Sequence, residues 1–150
     1  MRLIQLTQRK SKVQNNLQSL ANEGQFLVLN RSSAKELFEQ SQENLEPDQN
    51  LDWMLEQFRG NIVVDGCNPY EENDWKKLEI VGQNLILDVN GLCTRCNVIG
   101  VNQANSERVQ EPLQTLAKSE SKRFKFGILA GSDTSMEGLI LKIGNEVKAE

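Results

Sequence analysis

The sequence predicts a mainly β protein with a few helices, an α+β chain whose strands close into an irregular barrel. Short β-rich runs separated by Gly and Asn turns dominate from Gln25 onward, while only brief segments show helical periodicity. Many short strands with two or three helices between them favour a barrel over a doubly wound sheet. At 150 residues the chain has the length of one domain with one core, so residues 1–150 are expected to form a single unit.

Each element has a local reason. Residues 2–6 and 25–30 read as strands, the second built on the apolar run Phe26-Leu27-Val28-Leu29 that suits a sheet interior. Ser33 with Glu36 makes a capping box for a first helix, and Leu37 and Phe38 supply its buried face. Pro47 suits the first position of a second helix, where Leu51, Met54, Leu55 and Phe58 recur at helical spacing with Asp48, Asp52 and Glu56 opposite. That helix leads into Phe58-Arg59-Gly60-Asn61, then the β run Ile62-Val63-Val64 and the turn Asp65-Gly66. Asn68, Pro69 and Glu71 fit the N-cap, N1 and N3 positions of a further short helix through Trp75 and Lys77.

Residues 78–81, 85–89 and 98–101 are strand candidates separated by Gly82 and the Gly91 turn. Pro112 starts another helical turn with Leu113, Leu116 and Ala117 inward, and residues 124–129 and 139–143 are expected to be the closing strands. Residues 102–110 and 131–138, polar and small, read as loops. No internal repeat or low-complexity run interrupts this order.

The composition excludes whole classes of chemistry. With no histidine in the chain, a Ser-His-Asp or Cys-His relay and histidine metal ligation are impossible, which leaves thiolate, carboxylate, lysine or a bound cofactor. Hydrophobic residues at 38%, charged residues at 25% and a net charge of -4 describe an ordinary globular protein. Arg2, Arg9, Lys10 and Lys12 stand in an acid-free amino-terminal stretch, whereas residues 36–56 are rich in acids such as Glu39, Glu43, Glu46, Asp48 and Asp52. An exposed strand and a solvated helix face account for both, and the acidic balance argues against a nucleic-acid surface. No window approaches the ~18 apolar residues of a membrane span, and the Met1 end lacks a signal-peptide core. The expected setting is cytoplasmic, without membrane or nucleic-acid partners. Three cysteines fit reduced thiols better than a disulfide framework.

Two of those cysteines form the most informative stretch, Cys93-Thr94-Arg95-Cys96, in which a guanidinium sits between two thiols. Half of a zinc site, a redox dithiol, and two thiols that only pack all remain open. Zinc would want four ligands, and Cys67 is the sole further candidate of the Cys or His type. A redox pair would open a helix, yet β-type residues lie on both sides here. In a fourth reading one thiolate meets a soft metal centre and neighbouring residues hold an anionic cofactor. Arg95 would favour the ionised sulfur, and Arg59 offers a planar fork matched to phosphate, with Gly60 permitting close approach. An ion pair with one of the many carboxylates is the plain alternative for Arg59. No glycine-rich phosphate loop of the GxGxxG or GxxxxGK type is present. Glu71 and Glu72 suit a helix N-terminus, and Trp53, Tyr70 and Trp75 suit packing.

The ordered blocks Phe58-Arg59-Gly60-Asn61-Ile62-Val63-Val64, Tyr70-Glu71-Glu72 with Trp75, Cys93-Thr94-Arg95-Cys96, Glu111-Pro112-Leu113 with Thr115-Leu116, and Phe126-Gly127 resemble the MOSC domain, in the form that ends the eukaryotic molybdenum cofactor sulfurases. The stretch Ser19-Leu20-Ala21-Asn22-Glu23-Gly24-Gln25-Phe26 extends the resemblance over nearly the whole chain. It implies a MOSC-type β barrel that binds the molybdenum–pterin cofactor, with Cys96 facing molybdenum or the transferred sulfur as both catalytic and metal-binding residue. It further implies that Arg59 and Asn61 hold the cofactor phosphate and pterin, and that Thr94 and Arg95 line the same pocket. Gly60 stands where many relatives have proline, and residues 102–108 lack the Asp and Thr-Gly turn often found there. Cys67 has no implied role.

In the intact sulfurases the resemblance also implies a large pyridoxal-phosphate domain that draws sulfur from cysteine as a persulfide, for which 150 residues have no room. The chain then reads as the cofactor-presenting part of a sulfurtransferase, partial or stand-alone, with a persulfide-donating cysteine desulfurase-like domain as partner. The alternative is a cofactor-free binding or thiol-redox domain that keeps the fold.

Overall fold

The computed structural model describes residues 24–118, 124–133, 136 and 139–150, together with the backbone of residues 9–10 and 17–18. The strand expected over residues 2–6 lies outside the described residues. β1 (Arg9–Lys10) and β2 (Leu17–Gln18) form an antiparallel ribbon. The main sheet contains β3 (Phe26–Asn30), β4 (Ile62–Val64), β5 (Lys77–Ile80), β6 (Leu85–Thr94), β7 (Lys125–Gly131) and β8 (Val147–Ala149), in the order β4-β3-β7-β6-β5-β8. Among the described residues three helices, α1 (Arg31–Ser41), α2 (Leu51–Gln57) and α3 (Leu113–Lys118), accompany it. β3 and β4 are parallel, joined through α1 and α2, and the other pairs are antiparallel. The protein is thus mainly sheet, with the six strands nearly closed into a barrel and one seam left unsealed between β4 and β8.

Strand alternation builds two cores. On β3, Leu27 and Leu29 face the helices with Leu37, Met54 and Phe58, while Val28 faces the opposite side with Leu78, Leu85, Leu87 and Ile128. Two glycines then change which core a strand addresses. Along β6, Leu85, Leu87 and Val89 meet the second core, but the register shifts between Val89 and Gly91, where Gly91 has φ 132°, and Leu92 takes their place. Cys93 is thereby turned onto the helix-side core. Gly127 on β7, at φ 76°, does the same for its strand: Phe126 packs with the helices, whereas Ile128 and Ala130 fill the second core.

Several expected boundaries move for identifiable reasons. α1 starts at Arg31 because Asn30 caps it, its Oδ1 accepting from the Ser32 N–H at 2.9 Å. Ser33, the expected cap, is buried, and its hydroxyl donates to the Glu72 carboxylate at 2.8 Å while accepting the Tyr70 N–H at 2.7 Å. α2 starts at Leu51 and not near Pro47, since Asn50 accepts the Trp53 N–H at 2.9 Å. The helix expected after Pro69 is a single 3₁₀ turn, Glu71–Asp74. Residues 98–101 are not a strand: Asn97–Gly100 is a 3₁₀ turn, followed by one bridge between Val101 and Arg108. Nor do residues 139–143 pair. The edge of β5 is taken by β8, with Ile80 opposite Val147, and Ile140 and Ile143 stay exposed. The helical turn at Pro112 is α3, and Glu111 meets one of its early N–H groups: its carboxylate accepts from both the Thr115 N–H and hydroxyl at 3.0 Å.

Candidate functional site

α2 ends against β3 in a shape its sequence makes costly. The Phe58 N–H reaches the Leu55 carbonyl at 3.2 Å and the Arg59 N–H reaches the Glu56 carbonyl at 3.0 Å, with Arg59 itself left-handed at φ 54°. Glycine is the usual residue at such a helix end, so an arginine there stores about 1 kcal/mol of backbone strain. The chain is then clamped to β3 at Asn61, whose N–H donates to the Leu27 carbonyl and whose Oδ1 accepts the Leu27 N–H, both at 2.8 Å. Between them, Gly60 presses on the core: a Cβ there would lie 2.5 Å from Leu29 Cδ1. A proline at this position would not fit without moving a fully buried leucine.

The far end of β6 meets this turn. Arg95 donates from Nη2 to the Phe58 carbonyl and from Nη1 to Cys93 Sγ at 3.1 Å, and its guanidinium lies 5.3 Å from the Phe58 ring centroid. The Phe58 ring is stacked in turn on Phe126, with centroids 4.1 Å apart. A cation on the last carbonyls of a helix is favoured by its dipole, so Arg95 acts as a side-chain cap for α2. Gln103 adds a second contact there, to the Glu56 carbonyl. The buried Nε of Arg95 has no partner among the described residues.

Of the expected site residues, Arg59, Asn61, Thr94 and Cys96 are exposed and Arg95 is half-buried. Arg95 links the two sequence blocks, because the carbonyl it holds belongs to the residue before Arg59. Arg59 forms no ion pair among the described residues. Thr94 lies opposite Lys125 at the end of the β6–β7 pairing, and Cys96 precedes the 3₁₀ turn in extended conformation. The guanidinium expected to serve Cys96 bonds Cys93 instead, while Cys67, Cys93 and Cys96 are all thiols. No group of three or more Cys, Asp or Glu side chains placed to hold a metal occurs among the described residues, so the three cysteines do not assemble a closed zinc site.

The sequence does not disclose Glu72. It is buried, and its Oε2 accepts from Asn30 Nδ2 and the Ser33 hydroxyl, each at 2.8 Å, pinning the start of α1 to the Tyr70 turn. Its one signal is its place in the Tyr70-Glu71-Glu72 block. Burial, then the nearby carboxylates of Glu36 and Glu72, push the Tyr70 hydroxyl up to about 12. Cys67 lines a separate cleft of about 610 Å³ at the seam, beside Val64, Trp75 and Val147. Burial first, then Glu71 and Glu72, raise its thiol above the ordinary cysteine value. No helix among the described residues is long and apolar enough to cross a membrane.

Comparison with known proteins agrees with these blocks. The MOSC domain profile matches residues 16–148. The molybdenum cofactor sulfurase of Danio rerio is 34% identical over 136 residues, which cover 86% of this chain and 16% of that protein. Its counterpart in Drosophila pseudoobscura pseudoobscura is 40% identical over 111 residues, 73% of this chain and 13% of the relative. Molybdenum cofactor sulfurase 2 of Culex quinquefasciatus is 34% identical over 122 residues, 80% and 16% of the two chains. The chain therefore spans only 13% to 16% of the length of these relatives. With a profile match from the amino-terminal ribbon to β8 and a nearly closed barrel beneath it, the chain belongs to the MOSC domain family.

Proposed function

We propose that this single domain binds the molybdenum–pterin cofactor and presents it for sulfuration, as the acceptor-binding part of a molybdenum cofactor sulfurase. The observation that carries this reading is the buried, unpartnered Nε of Arg95, whose guanidinium holds the carbonyl of Phe58, next in sequence to an exposed Arg59 that has no ion pair among the described residues. Buried donors are nearly always satisfied, and a guanidinium with open donors at a site edge suits an anion. The donor set fits such a cofactor: two guanidiniums for phosphate and an exposed thiol for a soft metal.

In this reading Arg59 binds the phosphate and the Asn61 amide NH₂, left open by the Oδ1 clamp on Leu27, donates to the pterin. The Thr94 hydroxyl and Arg95 orient the same group, and Cys96 faces molybdenum or the sulfur being transferred. Bound there, the cofactor would supply the metal centre that accepts sulfur. The sulfur itself comes from a persulfide-donating, pyridoxal-phosphate-dependent cysteine desulfurase-like domain, in the cytoplasm where the thiols stay reduced. The test is to expose purified protein to the cofactor and measure molybdenum by elemental analysis and pterin by fluorescence after oxidation. Near-equimolar metal and pterin are expected, lost in Cys96→Ser and Arg59→Ala. A parent that retains neither, or a Cys96→Ser variant that retains both, overturns the assignment.

One contact favours a second reading, a thiol-redox domain. The charge-assisted contact of Arg95 goes to Cys93 Sγ at 3.1 Å, three residues from Cys96. Reversible Cys93–Cys96 disulfide formation in a glutathione buffer, seen as a loss of two mass units and of both alkylation sites, would support it. Persistent thiols under those conditions would sink it.

A further inference from the structure

We infer that Cys93 is a positioning residue, whose sulfur, together with the Phe58 ring, holds Arg95 across the last carbonyl of α2 and so keeps Arg59 and Asn61 in place for an anionic ligand. The ligand half of this inference rests on the pocket reading above; the clamp half does not. The Arg95 guanidinium is fixed at three points on two residues distant in sequence: the Phe58 carbonyl, the Phe58 ring and Cys93 Sγ. The sulfur comes from β6, two residues before Arg95, and it faces the helix-side core because the register shift at Gly91 turns it there. A second register shift, between Leu92 and Thr94, and the end of β6 at Thr94 make this segment irregular, and there the guanidinium folds back onto the thiol at 3.1 Å.

What the clamp restrains is a strained turn. Arg59 is held left-handed by a hydrogen bond to Glu56 at 3.0 Å, and Asn61 by its pair of bonds to Leu27. Such a turn persists only while its surroundings over-determine it. Arg95 supplies the tie at Phe58, the residue immediately before the strain, so loosening Arg95 relaxes the segment from which both Arg59 and Asn61 project. The first cysteine of the pair thus acts through Arg95, and Cys96 remains the thiol at the ligand.

Two variants separate this from packing. Cys93→Val keeps an apolar side chain of similar size and removes the acceptor; Cys93→Ser restores an acceptor. Amide hydrogen exchange by NMR on the whole chain reads the clamp directly, with inorganic pyrophosphate as the anion probe in the same samples. In Cys93→Val, exchange at the Arg59 and Asn61 amides should speed up roughly tenfold, with Val28 and Ile128 unchanged, and pyrophosphate affinity should fall roughly tenfold. Cys93→Ser should return both to within about threefold of the parent. The inference is overturned if Cys93→Val exchanges like the parent, if Val28 and Ile128 accelerate equally, or if serine fails to rescue. A parent with no measurable pyrophosphate binding removes the pocket reading and the ligand half with it, while the exchange rates still decide the clamp.

Discussion

Cys67 and Cys93 are both half-buried thiols packed at the margin of a core, and they live in opposite electrostatic surroundings. Cys67 stands at the open seam, where burial and then Glu71 and Glu72 hold the proton on its sulfur. Cys93 stands near the end of β6, where a guanidinium donates to its sulfur at 3.1 Å. Exposure does not distinguish them; the sign of the nearest charge does. The thiolate is the nucleophile and the metal ligand, so the carboxylates beside Cys67 work against thiol chemistry at the seam.

Breaking the clamp end should have the largest effect. Phe58 is fully buried and stacked on Phe126, and Phe58→Ala should lower stability by about 3–5 kcal/mol. The urea midpoint measures this, and a loss below about 1 kcal/mol would show that the ring is not the keystone of the helix-side core. Arg95→Met keeps the stem and removes the charged donors, so it should cost about 2 kcal/mol by the same measurement. The equivalent disruption at the seam, Cys67→Ala, should be milder, because no charged hydrogen bond is lost there.

The thiols themselves sharpen the contrast. Alkylation followed by mass spectrometry across pH should label exposed Cys96 first and Cys67 last. Glu71→Gln removes one of the charges that raise the Cys67 thiol, so it should speed Cys67 labelling near pH 8 and leave Cys96 unchanged. Equal acceleration of both would indicate a loosened fold and not a local charge. Tyr70 gives a parallel readout from the Glu72 side. Its hydroxyl ionises near 10 in the unfolded chain and near about 12 when folded, so the unfolded chain loses the proton first. The stability it contributes is complete below pH 10 and is lost as pH rises toward 12, which a phenolate absorbance titration and urea midpoints would track together.

The smallest effect has the opposite sign. Arg59→Gly relieves a left-handed arginine and should raise stability by about 0.5–1 kcal/mol while weakening pyrophosphate binding. A stability gain with unchanged anion affinity would mean that Arg59 is strained for no ligand. A loss of stability would mean that the exposed side chain holds the turn through contacts of its own.

Much of the fold was legible before any coordinates, because it follows from short-range causes. The apolar run at Phe26–Asn30 is an interior strand, Ile62–Val64 is a strand, and Leu51, Met54, Leu55 and Phe58 mark the buried face of α2. Backbone propensity and side-chain period act over a few residues, so they survive in the sequence alone. The absence of histidine and the ordered blocks from Phe58 to Gly127 likewise needed no structure to limit the chemistry and name the family.

What only the tertiary structure decided is where side chains go once strands and helices meet. Residues 139–143 have the composition of a strand, yet β5 had one free edge and Val147–Ala149 took it. Cys93 and Cys96 look equivalent beside Arg95 in the sequence. The register shift at Gly91 turns the first onto the core and into reach of the guanidinium, and leaves the second at the surface. Glu72 and Ser33 read as helix-start residues, but packing α1 against the Tyr70 turn buried both and forced them to satisfy each other. Register, bulges and hydrogen bonds between residues 37 or more positions apart, such as Arg95 to Phe58, depend on the packed whole, and no local pattern encodes them.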